Sequence, residues 1–270
     1  MVAALLIVVS LFTAALPVWG GVGQARQLCL SCHPVHYAER GLCTGCHLGN
    51  PGSARKNIAH AGLRAGKYAR FTLGDRVQMN EGQRLLDQLA CRRCHVSSGR
   101  GNRLAVNLDR SVVRKTAGET ALSVRRPVAN MPDFALHENQ ITAVVNVVLS
   151  GSVGHEMAAA EPVRVHFNDS GKNGVDDIFS RKCGSCHRML GERLGAVGVG
   201  AVGPNLSGLL SEYYPATFKD GETWTASRLN SWLKNPRTIK PWARMVPVTL
   251  TPAETRELQS AVLVSPAHDK

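Results

Sequence analysis

The stretch Glu81-Gly-Gln-Arg-Leu-Leu-Asp-Gln-Leu-Ala-Cys-Arg-Arg-Cys-His95 carries two signals in one run. Leu85, Leu86 and Leu89 share one face of a helix. That helix leads directly into two cysteines three positions apart, with histidine next. The closing pattern recurs three times elsewhere: Cys29-Leu-Ser-Cys32-His33, Cys43-Thr-Gly-Cys46-His47 and Cys183-Gly-Ser-Cys186-His187. With 8 Cys and 10 His in 270 residues, about 0.01 such strings are expected by chance. Four are present, and they use every cysteine in the chain.

Three chemistries use paired cysteines. A zinc site takes four N or S ligands, but it does not need histidine directly after each second cysteine. A thioredoxin-like redox pair needs one copy rather than four. Covalent haem attachment needs this spacing for a physical reason. The two thiols add across the two haem vinyl groups, and the adjacent histidine is then close enough to bind iron as proximal ligand. The pattern therefore predicts four haem c groups, held by Cys29, Cys32, Cys43, Cys46, Cys91, Cys94, Cys183 and Cys186. His33, His47, His95 and His187 are the predicted iron ligands. No thiol is left over for a disulfide.

The motifs space the chain into unequal segments. The first two are too close to own separate domains, so residues 26–66 form one small, loop-rich two-haem module. A chain of about 40 residues rarely folds without metals or crosslinks, so this module is expected to need its cofactors. The second segment, 76–151, opens with the helix quoted above. It continues through a polar, Gly-containing stretch to Asn130-Met131-Pro132. It closes with a helix whose apolar face carries Ile141, Val144, Val145 and Val148. Residues 152–171 read as a linker. The third segment, 172–265, repeats the order. Val175–Phe179 leads into the motif, and Gly203-Pro204-Asn205-Leu206 marks a turn. Trp224, Leu229, Trp232 and Leu233 are expected on a helix stopped by Asn235-Pro236. Thr251-Pro252-Ala253-Glu254 is a capping box that opens a final helix to about Val264.

Segments two and three each resemble a class I cytochrome c domain, in the order helix, haem motif, loop, methionine, helix. The residues that carry the likeness are Cys91–His95, Asn130-Met131-Pro132-Asp133-Phe134 and the 141–149 helix. In the third segment they are Cys183–His187, Gly203-Pro204-Asn205-Leu206, Trp232-Leu-Lys-Asn-Pro236 and Met245. Segment one is similar to the compact bis-histidine modules of multihaem cytochromes. The resemblance implies a mainly α fold: two tandem class I cytochrome c-like helical domains behind a two-haem module and an N-terminal apolar helix. In that family a proline after the motif commonly offers its carbonyl to the proximal histidine. Pro204 fits this, whereas the second segment has Ala105-Val106-Asn107-Leu108. The third segment also has Met245-Val246-Pro247 in place of Met-Pro.

A sixth ligand must reach the opposite haem face. Met131 lies 36 residues beyond His95, and Met245 lies 58 beyond His187. Both distances suffice, and both methionines are the predicted distal ligands. Met189 is too near His187 to come round, and Met79 and Met157 read as packing or surface. Segment one has no methionine, so His36 and His60 are its candidates. His36 is too close to His33 to cap the same iron, so it is paired with His47, and His60 with His33. His137, His155, His166 and His268 read as unligated.

Val2–Trp19 is an apolar run without a charge, readable as a cleaved signal peptide or a retained anchor within residues 1–25. Either reading exports the rest of the chain, to the periplasm or the outer face of the cytoplasmic membrane. The net charge of +12 and pI of 9.7 come without a Lys/Arg block long enough to read as a nucleic-acid tail, so they fit a solvated basic surface. Aromatics at 5% are thin for a chain of this size and compatible with cores built on planar cofactors. The expected function is electron transfer in an exported respiratory chain. The chain would act on redox protein partners, or as the cytochrome c subunit beside a membrane cytochrome b in a quinol-oxidising complex. The alternative is a haem enzyme, such as a peroxidase or small-oxyanion reductase, which would need an open iron position.

Overall fold

The computed structural model describes residues 28–113, 115–128, 130–154 and 177–265. The apolar run of residues 2–19, most of the 152–171 linker, and His155, Met157, His166 and His268 lie outside these described residues. Among the described residues no helix is long and apolar enough to cross a membrane. They are mainly helical, with one two-stranded hairpin.

Residues 28–63 contain no buried residue. Two short helices, α1 (Cys43–His47) and α2 (Lys56–Ala59), are joined by turns, and α1 is the second motif itself. Backbone hydrogen bonds hold the path, from Asn50 N–H to Ala59 O (2.9 Å) and from Leu28 N–H to Pro51 O (3.0 Å). A segment with backbone bonds but no apolar core has nothing in its polypeptide to offset the chain entropy of ordering.

In the second segment α3 (Arg76–Gln88) starts at Asp75, whose side chain accepts from Gln78 N–H at 3.1 Å. This N-cap satisfies one of the free donors of the first turn. The leucine face behaves as the sequence implies: Leu85 and Leu86 are buried, and Leu89 packs beside them. They meet Val144 and Val148 of α5 (Glu138–Gly151). The crossing is close because Gly82 lies on it, where a Cβ would run into the Ala143 carbonyl. Gly82→Ala is expected to cost about 1–3 kcal/mol by overpacking, read as a lower unfolding midpoint of the holoprotein.

The second side of α5 is covered by elements absent from the sequence reading. α4 (Ala117–Arg125) folds within the stretch expected to be an irregular connection, behind a capping box of Thr116 and Glu119. Ala117 and Ala121 pack with Ile141, Val145 and Leu149. The 3-10 turns Gly66–Tyr68 and Arg70–Leu73 add Tyr68 to the same cluster. Residues 141–149 are therefore buried all round, the mark of a helix enclosed on every side. Asn146 sits in that helix fully buried. It donates to Lys67 O (2.8 Å) and accepts from Phe71 N–H (3.0 Å), tying the 66–73 turns to the helix.

The third segment begins with α6 (Ile178–Lys182), capped by Asp177. After the motif come β1 (Met189–Gly191) and β2 (Gly195–Val197), an antiparallel pair with Met189 opposite Val197. α7 (Ala226–Lys234) starts at the cap Thr225, so Trp224 precedes the helix while Leu229, Trp232 and Leu233 lie on it. Asn235-Pro236 ends α7 and at once opens α8 (Pro236–Ile239), because proline at a first helical position has no N–H to leave unpaired. α9 (Pro252–Val262) carries the expected capping box at Thr251 and Glu254. Ile178, Phe179, Met189, Leu209, Leu229, Leu233, Leu258 and Val262 form one core, which confirms Met189 as packing.

Candidate haem-binding sites

The four Cys-x-x-Cys-His turns share a local geometry. In each, the histidine N–H donates to the first cysteine's carbonyl or lies in the same short helical turn: His33 to Cys29 (3.0 Å), His95 to Cys91 (3.0 Å), His187 to Cys183 (2.9 Å), and His47 at the end of α1. One tight turn thus presents both sulfurs and the imidazole together. None of the eight cysteines, all of them among the described residues, forms a disulfide.

What the ring nitrogens do is more telling. Nδ1 of His187 lies 2.8 Å from the Pro204 carbonyl, Nδ1 of His95 lies 2.7 Å from the Val106 carbonyl, and Nδ1 of His47 lies 3.0 Å from the Arg64 carbonyl. A carbonyl can only accept, so Nδ1 carries the proton and Nε2 is left with a free lone pair. That tautomer is the one a metal-binding histidine adopts when its second nitrogen is oriented by a backbone acceptor. Val106 performs in the second segment what Pro204 performs in the third. The departure from the family's proline therefore removes no hydrogen bond. Burial holds His95 below the usual histidine range and so favours the neutral ring, while its bond to Val106 opposes this in part.

In the third segment the loop after β2 lies flat on the imidazole. A Cβ at Gly203 would fall onto the His187 ring, so only glycine permits this approach. Cys183, Cys186, His187, Pro204 and Met245 line one cavity of about 760 Å³, walled by Phe179, Leu206, Leu229, Leu233, Trp224 and Trp232. Trp232 Nε1–H donates to the Met245 sulfur at 3.0 Å, which keeps the side chain inside the cavity. The charged residues on its wall are Arg93, Lys182, Lys240 and Arg244, all cationic. A flat apolar group bearing carboxylates, joined to two sulfurs and flanked by histidine and methionine, fits this lining.

In segment one the structure brings together the two histidine pairs. Nε2 of His36 lies 3.4 Å from Nε2 of His47. Two imidazoles on opposite sides of one metal, each about 2.0 Å from it, would place these atoms roughly 4 Å apart, a small opening from what is seen. His36, His47, Cys43 and Cys46 line a cavity of about 410 Å³. His33 and His60 face each other with ring centroids 6.0 Å apart. Met131 is half-buried in the turn that leads to α5, its N–H donating to Val128 O at 2.9 Å.

Among the described residues no three His, Cys, Asp or Glu side chains gather as a metal-ion site, and the thiols do not have the character of a reactive dithiol. Reactive dithiols have lowered thiol pKa values. Here burial, reinforced by neighbouring Cys94, pushes the Cys91 thiol up to about 11. Burial, with Asp177 and Cys186, does the same to Cys183.

Arg64 and Val106 were invisible as site residues in the sequence, since they act through backbone carbonyls that every residue possesses. No known family model matches the chain, and no solved structure matches it.

Proposed function

We propose that this chain is an exported electron carrier with four covalently attached c-type haems, its residues 76–151 and 172–265 forming two class I cytochrome c-like domains behind a bis-histidine two-haem module. The observation that carries this reading is the common orientation of His47, His95 and His187, each pinned through Nδ1 to a backbone carbonyl in a turn that also presents two thiols. A bound haem supplies a one-electron ferric/ferrous couple in an apolar shell. The chain's residues do the rest. The cysteines would anchor it, the motif histidines would ligate its iron, and His60, His36, Met131 and Met245 would supply the second ligands. Lipophilic walls such as Trp232, Leu229 and Phe179 exclude water from the third site.

Irons each held by two protein side chains would leave no position for a substrate and would serve to pass electrons. Methionine favours ferrous iron and raises the potential relative to two histidines. Electrons would then enter at the sites held by His33, His36, His47 and His60 and leave through those held by Met131 and Met245. If the apolar residues 2–19 are retained as an anchor, the low-potential pair lies nearest the membrane, placed to receive electrons from a quinol-oxidising cytochrome b partner.

The protein purified from a host that matures c-type cytochromes is expected to exceed its polypeptide mass by four haems. Redox potentiometry is expected to show two waves below the other two. Colourless protein, or a five-coordinate high-spin signal in the oxidised state, would overturn the carrier reading, the latter in favour of a haem enzyme.

A further inference from the structure

Arg93 belongs to the second segment's motif, between Cys91 and Cys94, yet it lines the cavity of the third segment. Its guanidinium donates to the Asn205 carbonyl at 3.3 Å and lies 5.7 Å from the centroid of the Tyr214 ring. Asn205 directly follows Pro204, whose carbonyl orients His187. The contact is part of a built junction. Tyr214 Oη donates to the same Asn205 carbonyl at 3.2 Å, and Asn205 Nδ2 donates to the carbonyl of Asn130, beside Met131, at 3.1 Å. Asn102 Nδ2 donates to both the Arg93 carbonyl (2.9 Å) and Ser211 Oγ (2.8 Å). A short polar network therefore links the histidine-bearing loop of one site to the motif and methionine loop of the other.

The other cations on that wall are differently disposed. Lys182 faces Glu254 at 3.8 Å, Lys240 donates to the Thr217 carbonyl at 2.7 Å, and Arg244 is exposed. Arg93 is half-buried, and among the described residues no carboxylate pairs with it. Tyr214, whose ring faces Arg93, is kept neutral because burial holds the phenol above its ordinary range.

We propose that Arg93 serves two sites at once: it is part of the second haem-attachment motif and supplies the third segment's cavity with the cation that raises the third site's reduction potential, so that the two C-terminal sites act as a coupled pair. This rests on the haem reading above. A cation beside an iron centre favours the reduced state, which carries one positive charge fewer. At an effective dielectric of about 20, a unit charge on the order of 10 Å away shifts a one-electron equilibrium by roughly tenfold, or about 59 mV. Arg93 is a positioning residue in this account, since it acts on the iron through its field and through the Asn205–Pro204–His187 chain.

The test is redox potentiometry of the intact holoprotein, following each site by its own paramagnetically shifted NMR signals. Met245→His assigns the third site by moving its signals. Arg93→Gln is expected to lower the third site's potential, with the reduction equilibrium changing about tenfold, while Arg93→Lys restores most of it. A merely structural arginine would not be rescued by charge. Arg93→Met, a second uncharged replacement of similar length, is expected to lower the same potential and serves if Arg93→Gln does not mature. Four haems present with an unmoved third-site potential in these variants would sink the coupling while leaving the carrier intact. Absence of haem from the wild-type protein would instead remove the reading on which it stands.

Discussion

Replacing Cys183 and Cys186 together by alanine is expected to yield protein one haem lighter, with its third segment unfolded. The cavity between α6, α7, α9 and the Met245 loop measures about 760 Å³ and is walled largely by apolar side chains. The cavity opens to solvent, and without an occupant water wets the half-buried Leu206, Trp224, Trp232 and Met245 on its wall. Full burial of such a side chain is worth about 1.5–3 kcal/mol, whereas a whole domain is stable by only about 5–15 kcal/mol, so the segment is expected to need its occupant. Limited proteolysis would then cut within residues 177–265, and the helical signal would fall by the share of α6–α9. The milder change Met245→Ala keeps the covalent tether. It should leave four haems and a folded segment, with one iron turned high-spin. A double-cysteine variant that keeps the third segment protease-resistant would show that the cavity does not depend on a haem.

The second large effect is expected at the other end of the molecule. Replacing Cys29, Cys32, Cys43 and Cys46 by alanine should leave residues 28–63 without fixed structure, while the second and third segments keep their haems and fold. No residue in that span is buried, and ordering each residue costs about 1–2 kcal/mol of backbone entropy. Backbone bonds such as Asn50 N–H to Ala59 O contribute about 1 kcal/mol net each, far too little alone. The second segment has its own core around Tyr68, Ile141 and Val145, so it does not share this fate. Protease cleavage confined to residues 28–63, with mass lower by two haems, is the expected outcome. A span that stayed protected would mean that the polypeptide supplies a core of its own there.

The parts of the molecule written locally were legible in the sequence. The Leu85–Leu86–Leu89 face, the apolar face of α5 and the capping box at Thr251 depend on residues within one or two turns of each other, and all three are present. The four Cys-x-x-Cys-His strings were legible because they lie within five consecutive residues and need no packing to be recognised. α4 was missed although Thr116 and Glu119 announce it, because its helix is short and the residues it fully buries are two alanines and a threonine. Trp224 was assigned to a helix that begins two residues later, since Thr225 takes the cap instead.

The site shows the same division. By itself the sequence determined which side chains are available as ligands and, through the spacing of His33, His36, His47 and His60, which pairs are within reach. Only the tertiary structure decided which carbonyls hold His47, His95 and His187 through Nδ1, and that Arg93 of one segment lines the cavity of the next. The physical reason is that both depend on contacts between residues distant in sequence. Backbone carbonyls are chemically alike wherever they occur, and a side chain's electrostatic role is set by the groups that surround it after folding.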